Sequence, residues 1–379
     1  MRILFSFIAG HGHFLPLTPL ADAAIHLEHE ILFVCSASMA DAVKVYNYPM
    51  MTLDEASNKI PDRKPLKSVD IADEERHLRD KFVLQMGREK LLMMIPIIEH
   101  WQPDLIVFDE VDYGTLLAAE YTKTPYASVI VMAEGSFNRS EVVAEALDTL
   151  RYENNITTDT KHIVVSPIPA RFRNPNYELP PNIIYMYATQ PDYVSFLSSV
   201  FEGYDPHQPT IYFTLGTVFN TEAGDLFNRV LDGIEHTACN VIVTVGKYID
   251  PIELGERPPN VYITNYLPTQ KILPECNLVI THGGSGTVLA SLAHGLPMLL
   301  LPMGADQPHN ARRCVELGLA EQFDVLTVSS EVIHDVVLAM LESAHYRNNA
   351  REFQDEFRKM PSPNDALHKL QQFVTANQT

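Results

Sequence analysis

The stretch LVITHGGSGTVLASLA, Leu278 to Ala293, passes from an apolar strand-like run through three glycines into an apolar run of helical spacing. A strand that feeds directly into a helix is the repeating unit of a parallel α/β sheet, because parallel strands need a crossover to bring the chain back. The turn between them gathers unpaired backbone N–H groups and the positive end of a helix dipole, about half an elementary charge, at one point. A phosphate or pyrophosphate suits that point. Gly283, Gly284 and Gly286 let a ligand approach the backbone, Ser285 and Thr287 add hydroxyl donors, and His282 adds an imidazole N–H. Taken alone, the same residues also fit a tight turn with a Ser or Thr helix cap.

The plan recurs along the chain. Ile3 to Ile8 is followed by AGHGH, then by FLPLTPLADAAIHL at helical spacing, then by the apolar run Ile31 to Cys35. Strands are expected again at Leu105 to Phe108 and Ala127 to Val131, with a helix through Ala119 between them. Prolines accumulate between Pro167 and Pro209, after which PTIYFTLGTVFN restarts the pattern: strand Ile211 to Leu215, then a turn at Gly216 and Thr217. Strands Val241 to Val245, Val261 to Thr264, Leu278 to Ile280 and Met298 to Leu301 follow. At 379 residues the chain exceeds one ordinary core. The reading is two Rossmann-like domains, 1–200 and 209–360, joined by a linker at 201–208, with a last helix at 361–379 that could pack back on the first domain. The proline- and charge-rich stretch from 50 to 88 interrupts the first domain and reads as a variable surface or binding loop.

A formal charge of −20 argues against nucleic acid or an anionic membrane as partner, so a small anion has to be held by a local device. Cys35, Cys239, Cys276 and Cys314 form no CxxC pair, which speaks against a zinc site or a disulfide framework and fits a reducing cytoplasm. The opening apolar run is too short for a signal peptide, and no stretch reaches the roughly 20 apolar residues of a membrane span, so no stable membrane insertion is expected.

Several motifs are excluded at the glycine turn. No Gly-Lys-Ser/Thr ends it, so it is not a Walker A loop, and Thr287 replaces the last glycine of a G-x-S-x-G elbow. AGHGHF lacks the third glycine of a dinucleotide fingerprint. The wider stretch from Asn265 to Gly318, NYLPTQKILPECNLVITHGGSGTVLASLAHGLPMLLLPMGADQPHNARRCVELG, resembles the nucleotide-sugar signature of GT-B glycosyltransferases of the UGT-like family, in their natural-product (antibiotic, macrolide, enediyne-type) branch. GHGHFLPLTPLA, PDLIVFD, TLGTVFN and MPSP extend the resemblance over most of the chain.

The resemblance implies an α/β GT-B fold, two Rossmann-like α/β/α domains with a cleft between them and a C-terminal helix after a proline-rich break. It implies a pyrophosphate cradle of His282, Gly284, Ser285, Gly286 and Thr287, faced by Gly216 and Thr217. Asp306 and Gln307 correspond to a pair that binds donor sugar hydroxyls, whereas unaided they read as a solvated loop or helix start. Tyr266 stands where the family often has Trp near the base, and Leu267 follows as a base contact. Glu28, in LEHE, departs from a family Gly.

Two histidines in GHGHFLPL suit base chemistry, because the imidazole pKa lies near neutrality and an adjacent carboxylate can steer it. The family pattern implies His13 as base and Asp109 as its partner. His11 is the rival base, and a metal pair of His11 and His13 is a third reading with few ligands. Glu110 and Asp112 read as solvated acids at a helix start. Met93, Met94 and Trp101 read as core in preference to an acceptor pocket.

The expected activity is therefore an inverting, metal-independent transfer of a sugar from a nucleoside diphosphate donor to a hydroxylated small molecule. dTDP-deoxysugar is the first donor choice and UDP-hexose the second, with no further cofactor and a homodimer left open. A GT-B-fold sugar-nucleotide epimerase and a non-catalytic nucleotide-sugar-binding accessory protein are the competing readings.

Overall fold

The apolar runs of the first half become one parallel sheet: β1 (Arg2–Ser6), β2 (Glu30–Cys35), β3 (Met50–Thr52), β4 (Leu105–Asp109), β5 (Tyr126–Val129), β6 (His162–Ser166) and β7 (Ile184–Tyr185). Those of the second half become another: β8 (Thr210–Thr214), β9 (Asn240–Thr244), β10 (Val261–Thr264), β11 (Leu278–Thr281), β12 (Met298–Leu300) and β13 (Ala320–Gln322). Central strands such as LIVFD and TIYFT are buried at every position, as expected where helices cover both faces of a parallel sheet. The structure is a computed structural model and describes residues 1–55, 62–177, 179–180, 182–188, 196–216 and 219–376.

Strand order is β3-β2-β1-β4-β5-β6-β7 in the first sheet and β10-β9-β8-β11-β12-β13 in the second. In each, the order reverses beside the first strand of the half, between β1 and β4 and between β8 and β11. Ligand sites of open α/β sheets lie outside the carboxyl ends of strands at such a reversal.

The chain divides into two units, one of Met1–Asn58, Ala72–Ala188 and Met360–Thr379, the other of Lys59–Ile71 and Thr189–Lys359. The contiguous division read from the sequence, with a first domain at 1–200 and a linker at 201–208, differs from this: the second unit resumes at Thr189 and takes in 201–208, and Lys59–Ile71 belongs to it as well, although it interrupts the first. Arg63 donates to both carboxylate oxygens of Glu253 at 2.5 and 2.7 Å, Lys64 Nζ donates to Glu222 at 2.7 Å, and Leu66 packs on the second unit's core.

The last helix, Pro363–Thr375, starts on a capping box made by Ser362 and Asp365 and buries Ala366, Leu367, Leu370 and Val374 in the first unit's core.

β1 and β5 end two residues earlier than their apolar runs suggest, where the side chains of neighbouring carboxylates take the backbone. Ile8 N–H donates to Asp109 instead of extending β1, and Val131 N–H donates to Glu110 instead of extending β5. The region from 50 to 88 holds β3, the helix Ile71–His77 and the wider-turned helix Leu78–Gly87, which runs into the helix Arg88–Trp101. Met94 is core there, whereas Met93 is partly exposed and Trp101 stacks under the Arg2 guanidinium. Glu28 takes a positive φ of 58°, the conformation in which a glycine is free of strain.

Candidate active site

In the first unit, the chain leaves β1 through Gly10, whose φ of 133° favours glycine, and enters the short helix His11–Phe14. This turn carries His13 to the end of β4, where Nδ1 lies 3.3 Å from Asp109 Oδ1. The His13 side chain is 21% exposed and that of Asp109 is fully buried. Asp109 is held by two backbone donors, Ile8 N–H to Oδ2 at 2.8 Å and Val111 N–H to Oδ1 at 3.0 Å. A buried carboxylate fixed in this way orients one imidazole tautomer, with N–H on Nδ1, and stabilises the imidazolium when Nε2 takes a proton. Burial lowers the pKa of His11.

Asp112 is not solvated and Glu110 is only partly exposed, which corrects the reading of both as solvated acids. Asp112 is fully buried, caps the helix Tyr113–Thr122 through Thr115 N–H, and pairs with Lys90 Nζ at 2.6 Å. Glu110 accepts from the N–H groups of Val131 and Met132 and from Asn138 Nδ2, so it shapes the loop after β5. A cap and an ion pair cost less than an isolated buried charge, which is why acids at this strand end need not face water.

In the second unit, β11 ends at Thr281 and the helix Ser285–Ala293 begins four residues later. Gly283 turns the chain at φ 87°, Gly284 is the N-cap residue, and no side chain caps the helix. Helix dipole and first-turn donors therefore remain directed at the turn.

The His282 ring is packed between two glycines: a Cβ at Gly216 would lie 2.6 Å from its Cε1, and one at Gly284 would lie 2.7 Å from its Nε2. Its Nδ1 is 3.1 Å from Thr281 Oγ1, and burial pulls its pKa down to about 4, so the ring is neutral near pH 7. Gly286 is exposed, with open space where a Cβ would point, and Thr287 is half-buried. Thr217 lies outside the described residues.

Ser285 is tied into a network. Its hydroxyl donates to Asp306 Oδ2 at 2.5 Å, and Asn310 Nδ2 donates to Ser285 Oγ, Asp306 Oδ2 and Gly283 O at 2.8 to 3.1 Å. The reading of Ser285 as a hydroxyl donor to a phosphate is thereby altered, since its proton is directed to Asp306. Gln307 is 2% exposed, and its Oε1 accepts from Met303 and Gly304 N–H groups, fixing the turn before it. Tyr266 is 71% exposed and Leu267 is buried beneath it in the chain.

A family profile described as the erythromycin biosynthesis protein CIII-like C-terminal domain matches residues 228–373. The 3-alpha-mycarosylerythronolide B desosaminyl transferase of Saccharopolyspora erythraea is 23% identical and is matched over 97% of both chains. The elloramycin glycosyltransferase of Streptomyces olivaceus is 34% identical over 176 residues, which span 46% of this chain and 44% of that enzyme. The solved structure of the spinosyn rhamnosyltransferase SpnG complexed with thymidine diphosphate superposes with a TM-score of 0.80 at 20% identity, covering 98% of this chain and 100% of that one. The profile and these relatives are glycosyltransferases of natural-product type, and this chain shares the fold of the solved one over nearly its whole length.

In this chain the two sequence-marked turns occupy equivalent places, each at the point where strand order reverses. Histidine and carboxylate meet at β1 and β4, and His282 meets Gly216 at β11 and β8. Sequence reasoning missed Asn310 and Lys90. Asn310 sits one helical turn after Asp306 in DQPHN, a spacing that puts both on one face. Lys90 had no local signal, because its partners lie on other elements.

Among the described residues, no group of three or more His, Cys, Asp or Glu side chains is arranged to hold a metal ion, and no helix is long and apolar enough to cross a membrane. The four cysteines are buried and unpaired with one another.

Proposed function

We propose that this enzyme transfers a sugar, with inversion and without a metal, from a nucleoside diphosphate sugar to a hydroxyl of a small-molecule natural product. The observation that carries the reading is the His13–Asp109 pair at 3.3 Å, a partly exposed imidazole backed by a buried, doubly anchored carboxylate. His13 Nε2 takes the acceptor's hydroxyl proton while the oxygen bonds to the anomeric carbon. The bond from that carbon to the β-phosphate oxygen breaks, and its electron pair leaves on the nucleoside diphosphate. Attack opposite the leaving group inverts the centre, and Asp109 stabilises the imidazolium. Charge that builds on the departing pyrophosphate falls on the turn at Gly284, Gly286 and Thr287 and on the dipole of the helix Ser285–Ala293. Asp306, half-buried with Oδ2 engaged by Ser285 and Asn310, presents Oδ1 to a sugar hydroxyl, and exposed Tyr266 is the stacking surface for the base.

A dTDP-deoxysugar is the preferred donor, with UDP-hexose second. The support comes from the relatives: a desosaminyl transferase and a structure bound to thymidine diphosphate.

Thermal unfolding in EDTA with dTDP, UDP, GDP and NAD in turn tests this, since a ligand of the native state raises the midpoint. The expected result is a rise with dTDP, a smaller one with UDP, and a reduced rise with both when Thr287 is changed to Ala. A midpoint unmoved by any nucleoside diphosphate in EDTA sinks the pyrophosphate reading of the turn. Transfer that stops in EDTA and returns with Mg²⁺ sinks metal independence.

A further inference from the structure

A single peptide group at the end of β1 is held at both ends. Its carbonyl, Phe7 O, accepts from Lys90 Nζ at 2.9 Å, and its N–H, that of Ile8, donates to Asp109 Oδ2 at 2.8 Å. The peptide dipole thus lies with its oxygen toward a cation and its hydrogen toward an anion, and the two charge-assisted bonds strengthen each other. Lys90 is in turn balanced by Asp112, whose Oδ2 receives Lys90 Nζ at 2.6 Å and the hydroxyls of Ser6 and Thr115 at 2.8 Å each. The Lys90 side chain is 12% exposed and that of Asp112 is fully buried. Lys90 reaches this place because the helix Arg88–Trp101 closes on Gly114, where a Cβ would lie 2.5 Å from Lys90 Cβ.

We propose that Lys90 is a positioning residue for the His13–Asp109 pair, acting through the Phe7–Ile8 peptide; the proposal rests on the reading of His13 as the base. With the Ile8 N–H fixed by the pull of Lys90 on Phe7 O, Asp109 Oδ2 is fixed as well, and Oδ1 is left facing His13 Nδ1. Lys90 and Asp112 cancel each other's charge, so Asp109 keeps a net negative charge to meet the imidazolium.

The charged and titratable groups around this assembly are Asp109 and Glu110 at the end of β4, Asp112 and Tyr113 entering the next helix, and Lys90. Cys35 at the end of β2, with Asp54 beyond it, and His11 on the turn complete the set. Burial pushes the Cys35 thiol up to about 11 and the Tyr113 phenol well above its ordinary value, so neither titrates with His13.

The test is an NMR titration of the His13 imidazole, assigned by the signal missing in His13→Gln, together with dTDP release from dTDP-glucose with water as acceptor. Lys90→Gln removes a cation and is expected to raise the His13 midpoint by on the order of half a unit to one unit. It should also move the acid limb of hydrolysis the same way and lower kcat about tenfold, with KM for dTDP-glucose within twofold. Lys90→Arg should restore both. Asp112→Asn removes an anion and should move the midpoint down; it serves alone if Lys90→Gln does not fold. An unmoved His13 midpoint in Lys90→Gln or Asp112→Asn, or a kcat loss that Lys90→Arg does not repair, overturns the proposal. Wild-type hydrolysis by His13→Gln instead removes the base reading, a failure visible without any Lys90 variant.

Discussion

The two units place a histidine at the same address, after a strand beside the reversal of sheet order, and surround it in opposite ways. His13 is partly exposed, and its ring nitrogen faces a buried carboxylate. His282 is buried between Gly216 and Gly284 with only a hydroxyl at Nδ1, and burial keeps it neutral to about pH 4. A base needs a partner that welcomes a proton; a neutral donor to an anion needs surroundings that refuse one. The strand-turn-helix frame supplies the address, and the neighbouring strand supplies the chemistry: β4 ends in Asp109, whereas β8 ends in a glycine turn.

The largest expected effect breaks the first side of that contrast. His13→Gln should lower kcat by about 10²- to 10⁴-fold while leaving the dTDP-induced rise in unfolding midpoint unchanged, since the base acts only on the acceptor proton. A variant that keeps wild-type kcat would move the base elsewhere, His11 first.

Next in size is the acid stability of the second turn. His282 has a folded value of about 4 against an ordinary 6.5, so the unfolded chain binds the proton first as pH falls. Its contribution is fully present above pH 6.5 and declines as pH drops toward 4, by about 3 kcal/mol in total. Denaturant unfolding at pH 7 and pH 4.5 should show a shallower loss for His282→Gln than for the wild type. An unchanged slope would mean that the ring is not held neutral.

Gly284→Ala sharpens the contrast from the ligand side. The added methyl would lie 2.7 Å from His282 Nε2, so the ring or the turn has to shift, and dTDP affinity measured by calorimetry should fall about tenfold with kcat at saturating donor less affected. Wild-type affinity would show that the turn is not a phosphate cradle.

The smallest effect is at the exposed Tyr266: truncation to Ala should cost dTDP affinity about two- to tenfold through lost stacking. The unfolding midpoint without ligand should stay put, because the ring covers no core.

Much of the framework is legible because it is local. Fully buried strands such as Ile211–Thr214 or Leu105–Phe108 are continuous apolar runs bounded by turns, and both glycine turns sit where such runs end. The strands that went unread are β3, β7 and β13, of two or three residues at or near sheet edges, too short to carry a period, and β6, which opens on an exposed His162. The acids after β4 misled for a different reason. A helix-start Asp is usually solvated, and nothing within DEVDYG shows that Lys90, on another helix, waits for Asp112.

By itself the sequence determined the alternation of strand and helix and the position of two histidine-bearing turns, since strand ends and helix starts are set by neighbours a few residues apart. Only the tertiary structure decided which carboxylate backs which histidine, which glycines enclose His282, and that Lys90 and Asp109 share one peptide. Those partners lie on β1 and β4, or on β8 and β11, and sheet order alone makes such distant segments adjacent.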